Sequence, residues 1–185
     1  MNQPSPADVI DVWTAAGPKA WFKSDPAFDA ALRARFEAAH MAAARGELTA
    51  WEGTAAGALA LLLLLDQVPR NIYRGSAHAF ATDGLARALA ERAVAAGHDL
   101  AMPLELQVFF YLPFEHAEDA VSQARGVELC EALEARGGDE SYARYARLHA
   151  DIIARFGRFP HRNPALGRTT TSEEAAFLAS GGFKG

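Results

Sequence analysis

The chain has 185 residues, half of them hydrophobic, enough to bury one sizeable core and read as a single helical domain over residues 1–185. Eighteen basic against twenty-three acidic side chains leave a net charge of -5, which argues against broad binding to nucleic acid or to an anionic membrane. A lone cysteine, Cys130, excludes an intramolecular disulfide and a cysteine-built metal cage, and fits the reducing cytoplasm in which the protein is expected to reside.

The opening MNQPSPADVID has no basic stretch followed by an apolar one, so it does not read as a secretory signal and the mature chain is expected to begin here. Alanine, leucine, glutamate and arginine dominate, and no period-two run of Val, Ile and Thr appears; the expectation is an all-α fold. Ser5 before Pro6 marks the start of a first helix to about Ala16, stopped by Gly17-Pro18. Asp25-Pro26 repeats the signal, and Phe28, Leu32, Phe36, Ala39 and Ala43 predict an amphipathic helix ending near Gly46. Thr54 caps a third helix through Gln67, apolar nearly all round and therefore central, which Pro69 is expected to end by biasing Val68 away from helical angles. Its strongly apolar part, Ala55 to Leu65, falls far short of the roughly 18 residues of a spanning helix, so no membrane partner is expected.

Further helices are predicted from about Thr82 to Ala95, Pro103 to Leu112 and Glu118 to Arg136. Asp139 opens the next, with Tyr142, Tyr145, His149, Ile152 and Phe156 on one face. On another face Arg147, Asp151 and Arg155 are spaced to form a salt-bridged, solvated strip. Thr171 and Glu174 have capping-box spacing for a last helix, and the tail from Ser180 to Gly185 is expected to fray. Short connections favour stacked antiparallel helical hairpins, although no repeat at the roughly 34-residue tetratricopeptide period is present.

Chemistry concentrates at three helix junctions: LDQVPRNIYRG from Leu65, FFYLPFEHAED from Phe109, and RFGRFPHRNPALGR from Arg155. In the first, Asp66 near a helix C-terminus faces the negative end of the macrodipole, unfavourable by roughly 0.3 to 1 kcal/mol, and should recruit a cation, Arg70 being nearest. A purely structural reading pairs Asp66 with Arg70, lets Asn71 cap a turn and has Arg74 tether the loop. A functional reading has Arg70 and Arg74 present planar donor forks to a carboxylate or phosphate while Asp66 and Gln67 orient them. In the second junction Pro113 is expected to break the helix and deliver Glu115 and His116, the candidate catalytic acid–base residues, into aromatic surroundings that favour a neutral carboxyl. Adjacent helical positions point apart, so the two need not cooperate. The third, with Arg155, Arg158, His161, Arg162 and Asn163, is the densest positive charge in the chain, and an anion is its natural partner.

His149 on an apolar stripe is expected to be a hydrogen-bonded core histidine. Glu37 and His40 have the Glu-x-x-His spacing of carboxylate-bridged metal bundles but lack the second motif and the further glutamates, so no metal site is expected. No phosphate loop, dinucleotide fingerprint, zincin or nucleophile-elbow motif occurs, and no cofactor is expected. Cys130 among Val127, Leu129 and Leu133 reads as an inert buried thiol.

The stretches VIDVW, Trp21-Phe22 with Asp25-Pro26-Ala27-Phe28-Asp29, LDQVPRNIYRG, YLPFEH, and IIARFGRFPHRNPALGR followed by SEEAAFL together resemble the bacterial family known as domain of unknown function 924. The resemblance covers nearly the whole chain and implies one all-helical domain of tetratricopeptide-like fold, hairpins stacked in a right-handed array. It supplies no activity, substrate or catalytic residues.

Two functional readings stand beside the structural one. In the first, the junctions converge on a pocket for a small anionic molecule, with Arg70, Arg158 and Arg162 as charge donors, Asn71 and Asn163 as neutral donors, and Glu115 or His116 as proton carriers. Any reaction there would be a cofactor-independent hydrolysis or acyl or phosphoryl transfer. In the second, a tetratricopeptide-like groove binds a partner peptide without catalysis.

Overall fold

The computed structural model describes residues 3–183, and these form an all-α fold with no strand among them. Met1, Asn2 and the last two residues of the tail expected to fray lie outside the described residues.

Helix α1, Pro6–Ala16, opens on a capping box in which the Asp8 amide donates to Ser5 Oγ at 3.3 Å and the Ser5 amide donates to the Asp8 carboxylate at 2.8 Å. After a single turn, Pro18–Trp21, helix α2 covers Pro26–Ala44 and begins on Asp25, whose carboxylate accepts from the Ala27 and Phe28 amides. The stripe Leu32, Phe36, Ala39 and Ala43 is buried, as its spacing of three and four requires.

Helix α3, Ala55–Ile72, is the centre of the molecule and does not stop at Pro69. It widens into a π turn over Leu63–Gln67, where the Val68 amide reaches back to the Leu63 carbonyl, and resumes as α-helix over Val68–Ile72. A proline lacks the amide and crowds the carbonyl four residues back; a wider turn is one way to keep the chain helical through it. The carbonyls around the turn find side-chain donors instead. His40 Nδ1 lies 2.8 Å from the Leu64 oxygen, the Thr82 hydroxyl donates to Leu65, Arg70 Nη1 to Asp66 at 2.8 Å and Asn71 Nδ2 to Gln67 at 3.0 Å. With 18 residues and a mean hydropathy of 1.2, α3 is long and apolar enough to cross a membrane, yet 83% of it is buried inside the protein, which makes it a core helix.

Helix α4, Asp83–Ala95, packs on α3; α5, Val108–Glu115, on α3 and α4; α6, Ala120–Ala135, on α5; and α7, Glu140–Phe156, on α6. Leu59, Leu62, Leu63 and Leu64 meet Trp13, Phe36, Phe109 and Phe110 in the core. The stretch after Pro103 forms only a 3-10 turn, Leu104–Leu106, and α5 runs through Pro113 rather than breaking there. All eight residues of α5 are buried, so packing of its aromatic side chains holds a helix from which the proline removes one backbone bond. Gly126 lets α6 approach that helix: a Cβ there would sit 3.2 Å from Glu115 Cγ and 3.3 Å from the Glu115 nitrogen.

Helix α7 ends on Gly157 at φ 69°, a left-handed turn that glycine makes without strain. Its arginines do not pair along the helix with Asp151. Arg147 reaches Glu131 on α6 at 2.8 Å and Arg155 reaches Glu173 at 2.9 Å, because neighbouring helices bring carboxylates within range of these long side chains. Helix α8, Ser172–Ala179, carries the capping box of Thr171 with Glu174.

Candidate functional site

The π turn of α3 and the end of α5 bring Asp66 and His116 together. Asp66 is buried, with Oδ1 2.8 Å from His116 Nδ1 and 3.1 Å from Arg70 Nη1, while Oδ2 accepts from Gln67 Nε2 at 2.6 Å. Burial opposes its ionisation, but the charges of Arg70 and His116 and the hydrogen bonds outweigh that and hold the carboxyl well below the usual carboxylate range. Burial, reinforced by Arg70, keeps His116 below the ordinary histidine value against the pull of Asp66. An ionised carboxylate can only accept, so Nδ1 of the neutral imidazole bears the proton and Nε2 keeps its lone pair.

The first residue of α4, Asp83, joins two of the junctions. Arg70 grips it with two parallel bonds of 2.8 and 2.9 Å, and Arg162 Nη1 approaches its Oδ2 at 3.3 Å while also donating to the His116 carbonyl at 3.1 Å. The Arg162 guanidinium lies between the rings of Phe80 and Phe159, at 4.7 and 4.4 Å from their centroids. Burial and the nearby charge of Arg70 bring Arg162 down to about 10. Its Nε is buried without a hydrogen-bond partner among the described residues.

Beside this network opens a cleft of about 350 Å³ lined by Phe80, Asp83, Gly84, Arg87, His116, Ala117, Glu118, Asp119, Arg162, Leu166 and Arg168. His116 is the imidazole on its wall. Carboxylates match the arginines there: Arg168 forks onto Glu118 at 3.0 and 2.7 Å, and Glu118 also accepts from the Phe159 amide at 2.9 Å. The cleft is thus a balanced polar surface rather than a bare cationic basin, and an incoming anion would use the donor edges that the carboxylates leave unused.

The other candidates go elsewhere. Arg74 binds Asp29 at 2.7 and 3.2 Å and Asn71 Oδ1 at 2.7 Å, tethering the chain after α3 to α2. Gln67 is spent on Asp66, and the Asn71 amide on the Gln67 carbonyl. Arg158 forks onto Glu174 at 2.6 and 2.9 Å and donates to the Thr169 carbonyl, and Asn163 Nδ2 reaches Glu174 at 3.2 Å, so both fix α8. Glu115 points away from His116, accepting from Cys130 Sγ at 3.1 Å and lying 3.3 Å from His149 Nδ1. Burial and then Glu115 push the Cys130 thiol well up, which leaves it inert.

His149 is buried, but neither ring nitrogen makes a hydrogen bond among the described residues, so the expected hydrogen-bonded core histidine is only half met. The 3.3 Å approach to Glu115 does not have the angles of a hydrogen bond. Phe183 stacks edge-on against both His149 and His161, 4.7 and 5.3 Å between ring centres. Burial, then Arg162 and His149, lower His161 to about 4. No cluster of three His, Cys, Asp or Glu side chains with metal-binding geometry occurs among the described residues; Glu37 serves Arg33 and the Tyr73 hydroxyl, and His40 serves the π turn.

Sequence reasoning missed Asp83, Phe80, Phe159, Glu118 and Arg168. Thr82-Asp83 reads as an ordinary helix start, and yet the Thr82 hydroxyl caps nothing: it is drawn to the Leu65 carbonyl and leaves Asp83 facing the arginines. The charged pair Glu118 and Asp119, separated from His116 by Ala117 alone, was the available signal for the cleft rim.

A family model described as a bacterial protein of unknown function, DUF924, matches residues 9–182. A solved structure of a protein of unknown function from Agrobacterium tumefaciens is similar over 95% of this chain and 97% of that one, at 51% sequence identity and a TM-score of 0.90. No curated protein matches the chain.

Proposed function

The chain belongs to the DUF924 family, and from its site we propose that the cleft beside His116 binds a small anionic molecule, a carboxylate or a phosphate, with His116 as the proton carrier of a cofactor-independent hydrolysis or transfer. The observation that carries this reading is the 2.8 Å contact between the buried Asp66 carboxylate and His116 Nδ1. It fixes the ring orientation and the tautomer, and Nε2, which no described residue engages, can take a proton from water or from a hydroxyl nucleophile. As the imidazole becomes positive, Asp66 stabilises it; negative charge developing on the substrate oxygen meets the Arg162 guanidinium, oriented by Asp83 and two aromatic faces.

The test combines binding and turnover. Inorganic phosphate and acetate should raise the melting temperature of the wild type, and Arg162→Lys, which keeps the charge but loses the fork, should weaken that binding about tenfold. His116→Gln should retain the anion-induced shift and lose hydrolysis of p-nitrophenyl acetate or phosphate by a factor of about 100 or more. No stabilising anion for the wild type, or full hydrolysis in His116→Gln, defeats the reading. The tetratricopeptide-like stacking implied by the family resemblance is likewise a proposal, supported by packing between chain neighbours from α4 through α7.

A further inference from the structure

After α8 the chain turns back on itself, and the turn is specified by its residues. Gly181 takes φ 89°, a left-handed conformation that favours glycine, and Gly182 rests on Phe177: a Cβ there would lie 2.6 Å from the Phe177 carbonyl oxygen and 2.7 Å from its ring. The Gly182 amide and the Ser180 hydroxyl both donate to that oxygen at 3.0 Å. This turn brings Phe183 to two imidazoles. His149 and His161 pack against Phe183 at 4.7 and 5.3 Å between ring centres, and against Phe159 at 5.4 and 5.7 Å, so each histidine touches both phenylalanines. Neither nitrogen of His149, nor Nδ1 of His161, has a hydrogen-bond partner among the described residues, and the two rings serve here as aromatic surface.

A proton arriving on His161 meets more opposition than support. Arg162 follows it in the same turn, His149 faces it from α7 and His116 from the end of α5, and all three oppose added positive charge. Glu118 favours that charge but is already forked by Arg168 and takes the Phe159 amide. On α8, Glu173 and Glu174 are held by Arg155 and Arg158, and Glu115 lies by His149 and accepts from the Cys130 thiol. We propose that the turn from Gly181 to Phe183 is an acid-released latch, in which proton uptake at His161 drives Phe183 away from the two imidazoles while the rest of the fold stays closed. Linkage sets the direction. With Phe183 in place His161 titrates at about 4, and once in water the ring returns toward about 6.5, so the released form binds the extra proton and gains population as pH falls between those values. Phe183 is the ring that leaves: Phe159 is 1% exposed and tethered through its amide to Glu118, whereas Phe183 is only partly buried and follows two glycines. The latch needs no ligand in the cleft.

The experiment follows the full chain by nuclear magnetic resonance as pH is lowered from neutral, reading the His161 ring together with the Gly181 and Gly182 amides. The two glycine amides should move to random-coil positions with the midpoint of the His161 titration, while the amides of α3 keep their folded positions. Phe183→Ala, which removes the covering ring, should raise the His161 midpoint by about one pH unit. His161→Phe keeps an aromatic surface without a titrating group and should hold both glycine amides in place across the same range. Four outcomes each overturn the latch: His161 titrating with the glycine amides unmoved, release undiminished in His161→Phe, an unchanged His161 midpoint in Phe183→Ala, or loss of the folded α3 amides at the same midpoint.

Discussion

Arg158 and Arg162 lie four residues apart, each two residues before a proline, and the protein uses them in opposite ways. Arg158 is consumed by a single carboxylate: Glu174 meets it with both oxygens, and the same Glu174 closes the capping box of α8. Arg162 arrives at Asp83 when Arg70 already holds both oxygens of that carboxylate, so it makes one long contact and keeps donor capacity beside the cleft. Exposure runs against the division, 29% for the Arg158 side chain and 6% for Arg162, so it is unmatched donor capacity and not accessibility that sets Arg162 apart. A guanidinium fully matched by its neighbour is structure; one held by aromatic faces with an incomplete carboxylate partner remains available.

The sharpest way to break this contrast is to remove the carboxylate under the cleft. Asp66→Ala leaves Arg70 buried with part of its compensation gone and deprives His116 of its orienting partner, and should cost about 3 to 5 kcal/mol of stability in urea unfolding. Asp66→Asn, which keeps the shape, should lose less. An alanine variant as stable as the wild type would mean that the network contributes nothing to the fold.

Acid titration separates the two regions next. His161 titrates at about 4 in the folded chain against about 6.5 unfolded, so the unfolded state binds the extra proton between those values. The stability it contributes is complete above pH 6.5 and is lost as pH falls toward 4, on the order of 2 to 3 kcal/mol for a group this far buried. His116, also lowered, adds to the same window, whereas Asp66 and Glu174, lowered carboxylates, lose their contribution only below the ordinary carboxylate range. Melting temperature followed from pH 7 to 4 should therefore decline, and His161→Phe should decline less. Equal slopes for the two would remove His161 from the explanation.

Much of this arrangement is legible in the chain itself, and the parts that are not share a cause. Helix starts at Ser5-Pro6, Asp25-Pro26, Thr54 and Thr171 are local events decided by a side-chain oxygen and the next few amides, and the structure places them there. Pro69 and Pro113 were expected to end helices because local rules say so; buried packing around α3 and α5 overrides those rules. The meeting of Asp66, Arg70, His116 and Arg162 could be guessed from charge at the junctions, since buried charges need partners. Asp83 could not, because nothing local distinguishes it from any acidic residue in a first helical turn; it becomes the hinge of the site only when the Thr82 hydroxyl is drawn to the π turn. Long-range selection among chemically equivalent partners is where a single sequence stops being informative.

The smallest of these effects gives the cleanest division between the regions. Arg158→Ala removes the fork on Glu174 and the bond to the Thr169 carbonyl, but Glu174 keeps the Thr171 amide and Asn163, so α8 should loosen rather than detach. Global unfolding should shift little, because α8 packs on the satellite cluster of Ile152, Ile153 and Phe159 and not on the main core around α3. Limited proteolysis should instead find new cuts between residues 168 and 180. Anion affinity at the cleft should stay within about twofold of the wild type, since the Arg162–Asp83 contact does not pass through Arg158. A loss of anion binding in Arg158→Ala equal to that of Arg162→Lys would show that the two arginines act as one unit, and would erase the distinction between the clamp and the cleft.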